Sequence, residues 1–115
     1  MSTEDKLTIP QSELVQRWQS ELQQHLHGGD QAEVRADEAN PGGLLVQIRS
    51  AGRQNLEFDF SVRYVDSREI EIGLTDVERD GNAVDERNDV LQELIVDYRR
   101  HLHECAQTLQ PYTHY

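Results

Sequence analysis

"NLEFDFSVRYV", residues 55–65, alternates polar and apolar side chains from Asn55 to Tyr64. One set of positions carries only large apolar residues: Leu56, Phe58, Phe60, Val62 and Tyr64. The set between them is charged or polar. A period of two is typical of a β-strand with one buried face and one solvated face. We therefore predict that this strand lies at the centre of a sheet whose second face meets water.

Similar strands flank this stretch on both sides. "LLVQIRS" (44–50) precedes it, and Ile70, Ile72 and Leu74 alternate with polar residues after it. "AEVRADEANPGG" (32–43) is a candidate edge strand that ends in a Pro-Gly turn. Three or four strands joined by short turns predict an antiparallel meander with one apolar face.

Helical periodicity dominates both ends of the chain. We predict a first helix over 9–27, started by Thr8 and Gln11 as a capping box and stopped at Gly28. Its apolar stripe contains Trp18, which we expect to be a core anchor. A second apolar stripe predicts a last helix over 84–109, which ends before Pro111.

These elements predict a two-layer α+β domain, with a helix at each end of a three- or four-stranded antiparallel meander. The domain is expected to span residues 9–111, with tails at 1–8 and 112–115. A chain of 115 residues suffices for one such domain.

The charge balance narrows the classes of partner. The chain has 22 acidic and 11 basic residues, a formal net charge of -11. Such a field repels nucleic acid and anionic lipid and attracts cations and basic proteins. The N-terminus has no apolar segment typical of a signal peptide, and no apolar run reaches the roughly 18 residues of a membrane span. We expect a soluble cytoplasmic protein that binds neither nucleic acid nor membrane. Since no catalytic motif occurs, we also expect no enzymatic activity.

"DVERDGNAVDERND", residues 76–89, places acids at alternate positions before a glycine, as the first half of an EF-hand calcium loop does. Arg87 occupies the position of the bidentate glutamate, and a strand precedes the loop, so this is not an EF-hand. Calcium accepts six to eight oxygens in loose geometry. We predict a calcium site of a different geometry, with these ligand candidates: Asp76, Glu78, Asp80, Asn82, Asp85 and Glu86. The alternative is a solvated loop whose acids cap the last helix.

Other polar clusters leave alternatives open. Asp37 and Glu38 precede the turn at Asn40, and either they contribute ligands to the same site or they belong to a solvated turn. Glu57, Asp59, Glu69 and Glu71 share the polar face of the central hairpin, where Arg63 is expected to pair with Glu69 or Glu71. A carboxylate pair on that face is a candidate for acid–base chemistry. His101 and Cys105 share one helix face, which favours either a zinc or copper site or a core position.

The carboxylates "ADE" (36–38) and "DVERDGN" (76–82), with the size, acidity and element order, resemble the small cyanobacterial calcium-binding proteins. That family binds calcium without EF-hands and is linked to calcium buffering during heterocyst differentiation. The resemblance implies calcium sequestration, with Asp37 or Glu38 and residues 76–86 as ligands. The chain is also similar in size and acidity to type III secretion chaperones. Those have a further helix among their strands, whereas none is predicted between Asp30 and Asp76. Our expectation is thus a calcium buffer or signalling component, and the alternative is an acidic, chaperone-like module for a basic or unfolded partner.

Overall fold

The computed structural model of the protein describes residues 7–26, 28–50, 56–85 and 89–113. Within them the chain forms one antiparallel sheet with helices before and after it. The elements are α1 (Gln11–His25), β1 (Gln31–Ala36), β2 (Gly43–Arg49), β3 (Leu56–Tyr64), β4 (Ile70–Arg79), β5 (Asn82–Ala83), α2 (Asp89–Thr108) and α3 (Gln110–Thr113). The strands are hydrogen-bonded in the order β1-β2-β3-β4-β5. The predicted two-layer α+β meander is confirmed, with five strands in place of three or four.

The core lies between the helices and one face of the sheet. β3 is buried at every second residue, as its alternation predicted, and the opposite side chains are half-buried or exposed. Trp18 of α1 is fully buried, and its indole N–H donates to the Tyr64 hydroxyl at 3.0 Å. Tyr98 of α2 packs on Phe58 with a ring separation of 5.0 Å. Trp18 is therefore the core anchor that the helical stripe predicted.

α1 begins later than predicted and is capped differently. Pro10 is the N-cap residue, and no side chain caps the helix. The Gln11 amide, expected to form a capping box with Thr8, instead donates to the backbone carbonyls of Asp37, Asn40 and Gly43 at 2.8 to 3.0 Å. Gln11 thus attaches the start of α1 to the β1–β2 turn. At the other end α1 stops at His25, short of the predicted residue 27, which lies outside the described residues.

The segment before α2 is a β-hairpin, where the sequence analysis predicted a metal-binding loop and the start of the last helix. Asp80 and Gly81 have φ values of 53° and 83°, which suit the two central positions of a type I′ turn. The chain then pairs back on β4 through β5, and the Val84 N–H donates to the Val77 carbonyl at 3.1 Å. Val84 is consequently strand-like, and α2 begins at Asp89 among the described residues.

The ordered C-terminus extends past the predicted boundary at residue 111. Thr113 belongs to α3 and is 1% exposed, and its hydroxyl donates to the Ser67 carbonyl at 2.9 Å. At the N-terminal side, Leu7 is half-buried against the core although it was assigned to a tail. Described residues near both ends of the chain therefore contact the rest of the fold.

Candidate metal centre

The central hairpin places carboxylates directly opposite one another on the open face of the sheet. Glu57 of β3 is the register partner of Glu78 of β4, and Asp59 is the partner of Asp76. Like charges at directly opposed positions of a strand pair destabilise the sheet. Two such pairs in succession concentrate four carboxylates on a short length of one hairpin.

A β-bulge puts the β4 carboxylates on this face. The register shifts at Asp59 and Phe60, so that Asp59 faces Asp76 while Phe60 faces Leu74, with Thr75 as the extra residue. Strict alternation from Leu74 would have turned Asp76 toward the core. The bulge instead buries Val77 completely and leaves Asp76 on the solvated side. The Thr75 hydroxyl donates to the Asp59 carbonyl at 3.0 Å and ties the bulge to β3.

Three of the four carboxylates converge closely enough to share one ion. Asp59, Asp76 and Glu78 each offer one oxygen, and these oxygens all lie within 4.8 Å of one another. Calcium binds oxygen at about 2.4 Å, so two ligands on opposite sides of one ion are separated by about 4.8 Å. All three residues are half-buried. The spacing is thus compatible with a single calcium ion.

The neighbouring polar groups neutralise one side of the cluster only. Arg49 forms an ion pair with Glu57 at 3.2 Å, and the Gln47 amide donates to Glu57 and Asp59 at 3.3 and 3.2 Å. Across the described residues, no arginine, lysine or histidine forms an ion pair with Asp59, Asp76 or Glu78. Three carboxylates therefore face one another without a basic partner in the described part of the chain.

The ionisation of Glu78 reflects this crowding. Its pKa is raised above its ordinary value, first by partial desolvation and then by the carboxylates of Asp76, Asp59 and Glu57. A side-chain hydrogen bond with Asp76 raises this pKa further. Any charge that relieves the repulsion, whether a proton or a metal cation, favours the folded arrangement.

The structure brings together two of the residues predicted from sequence. Asp76 and Glu78 belong to the cluster, but they project from a paired strand where the sequence analysis had a loop. Asp80 lies in the type I′ turn, Asn82 in β5 and Asp85 after it, all three on exposed positions. Among the described residues, the acidic group that could hold an ion does not include Asp80 or Asp85.

The remaining predicted ligands lie elsewhere. Asp37 and Glu38 are in the β1–β2 turn, where an Asp37 carboxylate oxygen accepts the Ala39 N–H at 3.0 Å. The described acidic groups that could share an ion do not include Asp37 or Glu38. Glu86 lies outside the described residues, as does Arg87.

Asp59 is the member of the cluster that the sequence analysis did not assign to a metal. It was placed correctly on the polar face of the hairpin, where Arg63 also pairs with Glu71 as predicted. The sequence feature that could have revealed this arrangement is the three-residue step from Leu74 to Val77. Residues on one face of a regular strand are an even number of positions apart, so an odd step marks a bulge. That step would have aligned Asp76 and Glu78 with Asp59 and Glu57.

His101 and Cys105 occupy core positions. Cys105 is fully buried, and burial raises the pKa of its thiol. His101 Nδ1 lies 3.0 Å from Glu104 Oε1, and Nε2 lies 3.4 Å from Asp97 Oδ2. Among the described residues, neither side chain belongs to a group of metal-compatible ligands.

Comparison with known protein families, curated proteins and solved structures finds no match to this chain. None of the described helices combines the length and apolar character needed to cross a membrane. The α+β fold and the carboxylate cluster are therefore the observations on which a function is proposed.

Proposed function

We propose that this protein binds Ca²⁺ at the open face of the β3–β4 hairpin, through Asp59, Asp76 and Glu78. The observation that carries the proposal is the convergence of three carboxylate oxygens within 4.8 Å without a described basic partner. Glu57 contributes to the negative potential at the edge of the site, since Arg49 already pairs with it.

The donor set supports a hard cation. All three ligands offer carboxylate oxygen, which calcium and magnesium prefer, while zinc and copper favour histidine and cysteine. Magnesium requires a near-ideal octahedron at about 2.0 to 2.1 Å and gives up its water reluctantly. Three carboxylates on an open strand pair leave room for water and irregular coordination, which suits calcium. The net charge of -11 adds a long-range attraction for any cation.

The position of the ligands favours a buffer over a switch. All three residues lie on β3 and β4, whose backbones pair with each other along the hairpin. Binding therefore requires side-chain adjustment and little change of the backbone. Three carboxylates without a bidentate cage are expected to give a dissociation constant of roughly micromolar or weaker. We accordingly propose a non-enzymatic calcium buffer or signalling component.

Calorimetric titration with calcium in excess magnesium tests the proposal. The wild-type chain should give calcium heat, and Asp76→Asn should weaken binding by about tenfold or more, because it removes one charged ligand. Asp80→Asn is a matched control that removes the same charge four residues beyond Asp76 and retains a residue suited to a type I′ turn. Binding that survives Asp76→Asn and disappears in Asp80→Asn would move the site to the turn. Absence of calcium heat at millimolar concentration would refute the function.

A further inference from the structure

The two edges of the sheet are protected to different degrees. At β1, Gln19 donates to the Ala32 carbonyl and accepts the Val34 N–H, both at 2.8 Å. Gln23, one helical turn later, donates to the Asp30 carbonyl at 2.7 Å and accepts the Ala32 N–H at 3.1 Å. Side chains of α1 thus take the place of a neighbouring strand along β1.

Among the described residues, the edge of β4 is covered less than the edge of β1. β5 pairs only with Glu78 and Arg79, and the described residues supply no strand along residues 70–76. The Val65 N–H donates to the Glu69 carbonyl at 2.9 Å, so the hydrogen bonds to β3 continue at Glu71 and Gly73, and the backbone groups of Ile70 and Ile72 face outward. The Ile72 carbonyl points away from β3, since it accepts a hydrogen bond from Arg99 of α2 at 2.9 Å.

The side chains along this edge alternate in character. Ile70, Ile72 and Leu74 are half-buried on the helix side of the sheet, although each is a large apolar residue. Glu69 and Glu71 are exposed on the solvated side. An added strand would therefore meet apolar side chains on one of its faces and acidic side chains on the other.

We propose that the outer edge of β4 binds an extended segment of a partner protein whose residues alternate between apolar and basic. The segment adds to the sheet as a further strand, with backbone hydrogen bonds to Ile70, Leu74 and the Ile72 N–H, since the Ile72 carbonyl already accepts from Arg99. Its apolar residues cover the half-buried row, and its basic residues face Glu69 and the rest of the acidic surface. This surface is separate from the proposed calcium function.

The negative charge of the protein favours a basic segment over a second copy of the chain as the partner of the β4 edge. Each chain carries a formal charge of -11, so a pair would bring together a charge of -22. Like-charged surfaces repel, whereas a basic segment is attracted from a distance. A strand from a basic partner also forms hydrogen bonds with the unpaired backbone groups of the edge. Such groups otherwise promote pairing with other chains and aggregation.

The test titrates ¹⁵N-labelled protein, in the presence of EGTA, with a synthetic peptide of alternating valine and lysine. The amide signals of Ile70, Ile72 and Leu74 should shift and gain protection from hydrogen exchange. N-methylation of the peptide on the edge that faces β4 should weaken binding by about tenfold or more, because each lost hydrogen bond contributes up to about a factor of ten. N-methylation of the opposite edge should leave binding unchanged.

Two further peptides test whether the partner segment needs both its basic and its apolar side chains. Alternating valine and glutamate should not bind, because its charges oppose those of the edge. Alternating glycine and lysine should bind at least tenfold more weakly than the valine–lysine peptide, since it lacks the apolar row. Shifts confined to the Asp76 and Glu78 region, or equal effects of N-methylation on both peptide edges, would overturn the proposal. So would a dimer joined through β4 in the protein alone.

Discussion

Asp59 and Asp76 are register partners on β3 and β4, and both carboxylates lie on the open face of the sheet. Glu57 and Glu78 repeat the arrangement two residues along β3. A strand pair that served only the fold would gain from opposite charges at these positions. The hairpin instead holds a group of carboxylates that repel one another, and under the proposed function a cation relieves this repulsion.

Asp59→Asn is expected to stabilise the protein when calcium is absent. The substitution removes one like-charge pair while the amide oxygen still accepts the hydrogen bond from Gln47. The gain should be about 0.2 to 1 kcal/mol in the free energy of unfolding, the usual size of a cross-strand pair. Urea denaturation in EGTA measures it. The same variant should gain less stability from calcium than the wild type, and an equal calcium response in both would place the ion elsewhere.

The raised pKa of Glu78 predicts a particular pH dependence. Because the folded state holds this proton more tightly than the unfolded state, protonation of Glu78 favours folding. Without calcium, the contribution of Glu78 to stability should therefore increase as the pH falls through its raised pKa, and decrease as the pH rises. Calcium affinity should follow the opposite course, since proton and metal compete for the same oxygens.

Glu78→Gln separates this contribution from the other carboxylates. Thermal denaturation in EGTA at several pH values should show a higher melting temperature for the variant at neutral pH. The difference from wild type should shrink toward acid pH. A wild-type chain that loses stability more steeply than the variant on mild acidification would contradict the assigned origin of the shift.

We expect Gln11 to contribute more to the stability of the fold than the first residue of a helix usually does. Its amide donates to three backbone carbonyls of the β1–β2 turn, and so fixes α1 to the sheet. Gln11→Ala is expected to cost about 1 kcal/mol, the usual net contribution of a hydrogen bond, because each of the three carbonyls keeps a backbone N–H donor. Gln11→Glu should cost more, because it replaces a donor with a negative charge. The exposed Gln16→Ala on the same helix is the control and should lie within about 0.5 kcal/mol of wild type.

The double substitution Gln19→Ala and Gln23→Ala should expose the edge of β1. Four hydrogen bonds from the two side chains to Asp30, Ala32 and Val34 would be lost. We expect reduced stability together with self-association, because an open edge strand is a template for pairing. Sedimentation velocity and urea denaturation measure the two effects. The exposed Gln24→Ala should change neither, and a monomeric double variant would refute the protective role.

The sequence predicted the fold where periodicity was regular. β3 alternates without interruption, and α1 carries its stripe through Leu14, Trp18 and Leu22, so both were located correctly. Beyond Leu74 the bulge changes the phase of β4, and the odd step from Leu74 to Val77 is the feature of the sequence that indicates it. The Asp80-Gly81 pair is a typical hairpin turn, but its acidic neighbours led to its interpretation as a metal loop.

The candidate metal site was harder to predict from the sequence than the fold, again because of the bulge. Asp76 and Glu78 were selected because acids cluster in that segment, and this choice needed only local sequence. Asp59 lies 17 residues before Asp76, and its approach depends on the strand register and the extra residue in β4. The packing of Val77 in the core sets the strand register on the far side of the bulge. The folded structure is therefore needed to see which residue of β3 lies opposite Asp76.

The most direct test of the calcium site follows the side-chain carboxyl carbons by NMR as calcium is added in excess magnesium. The signals of Asp59, Asp76 and Glu78 should move together with one saturation curve. The signals of Asp37 and Asp80 should remain in place. A calcium response of Asp37 or Asp80, with Asp59 and Glu78 unmoved, would contradict the proposed centre.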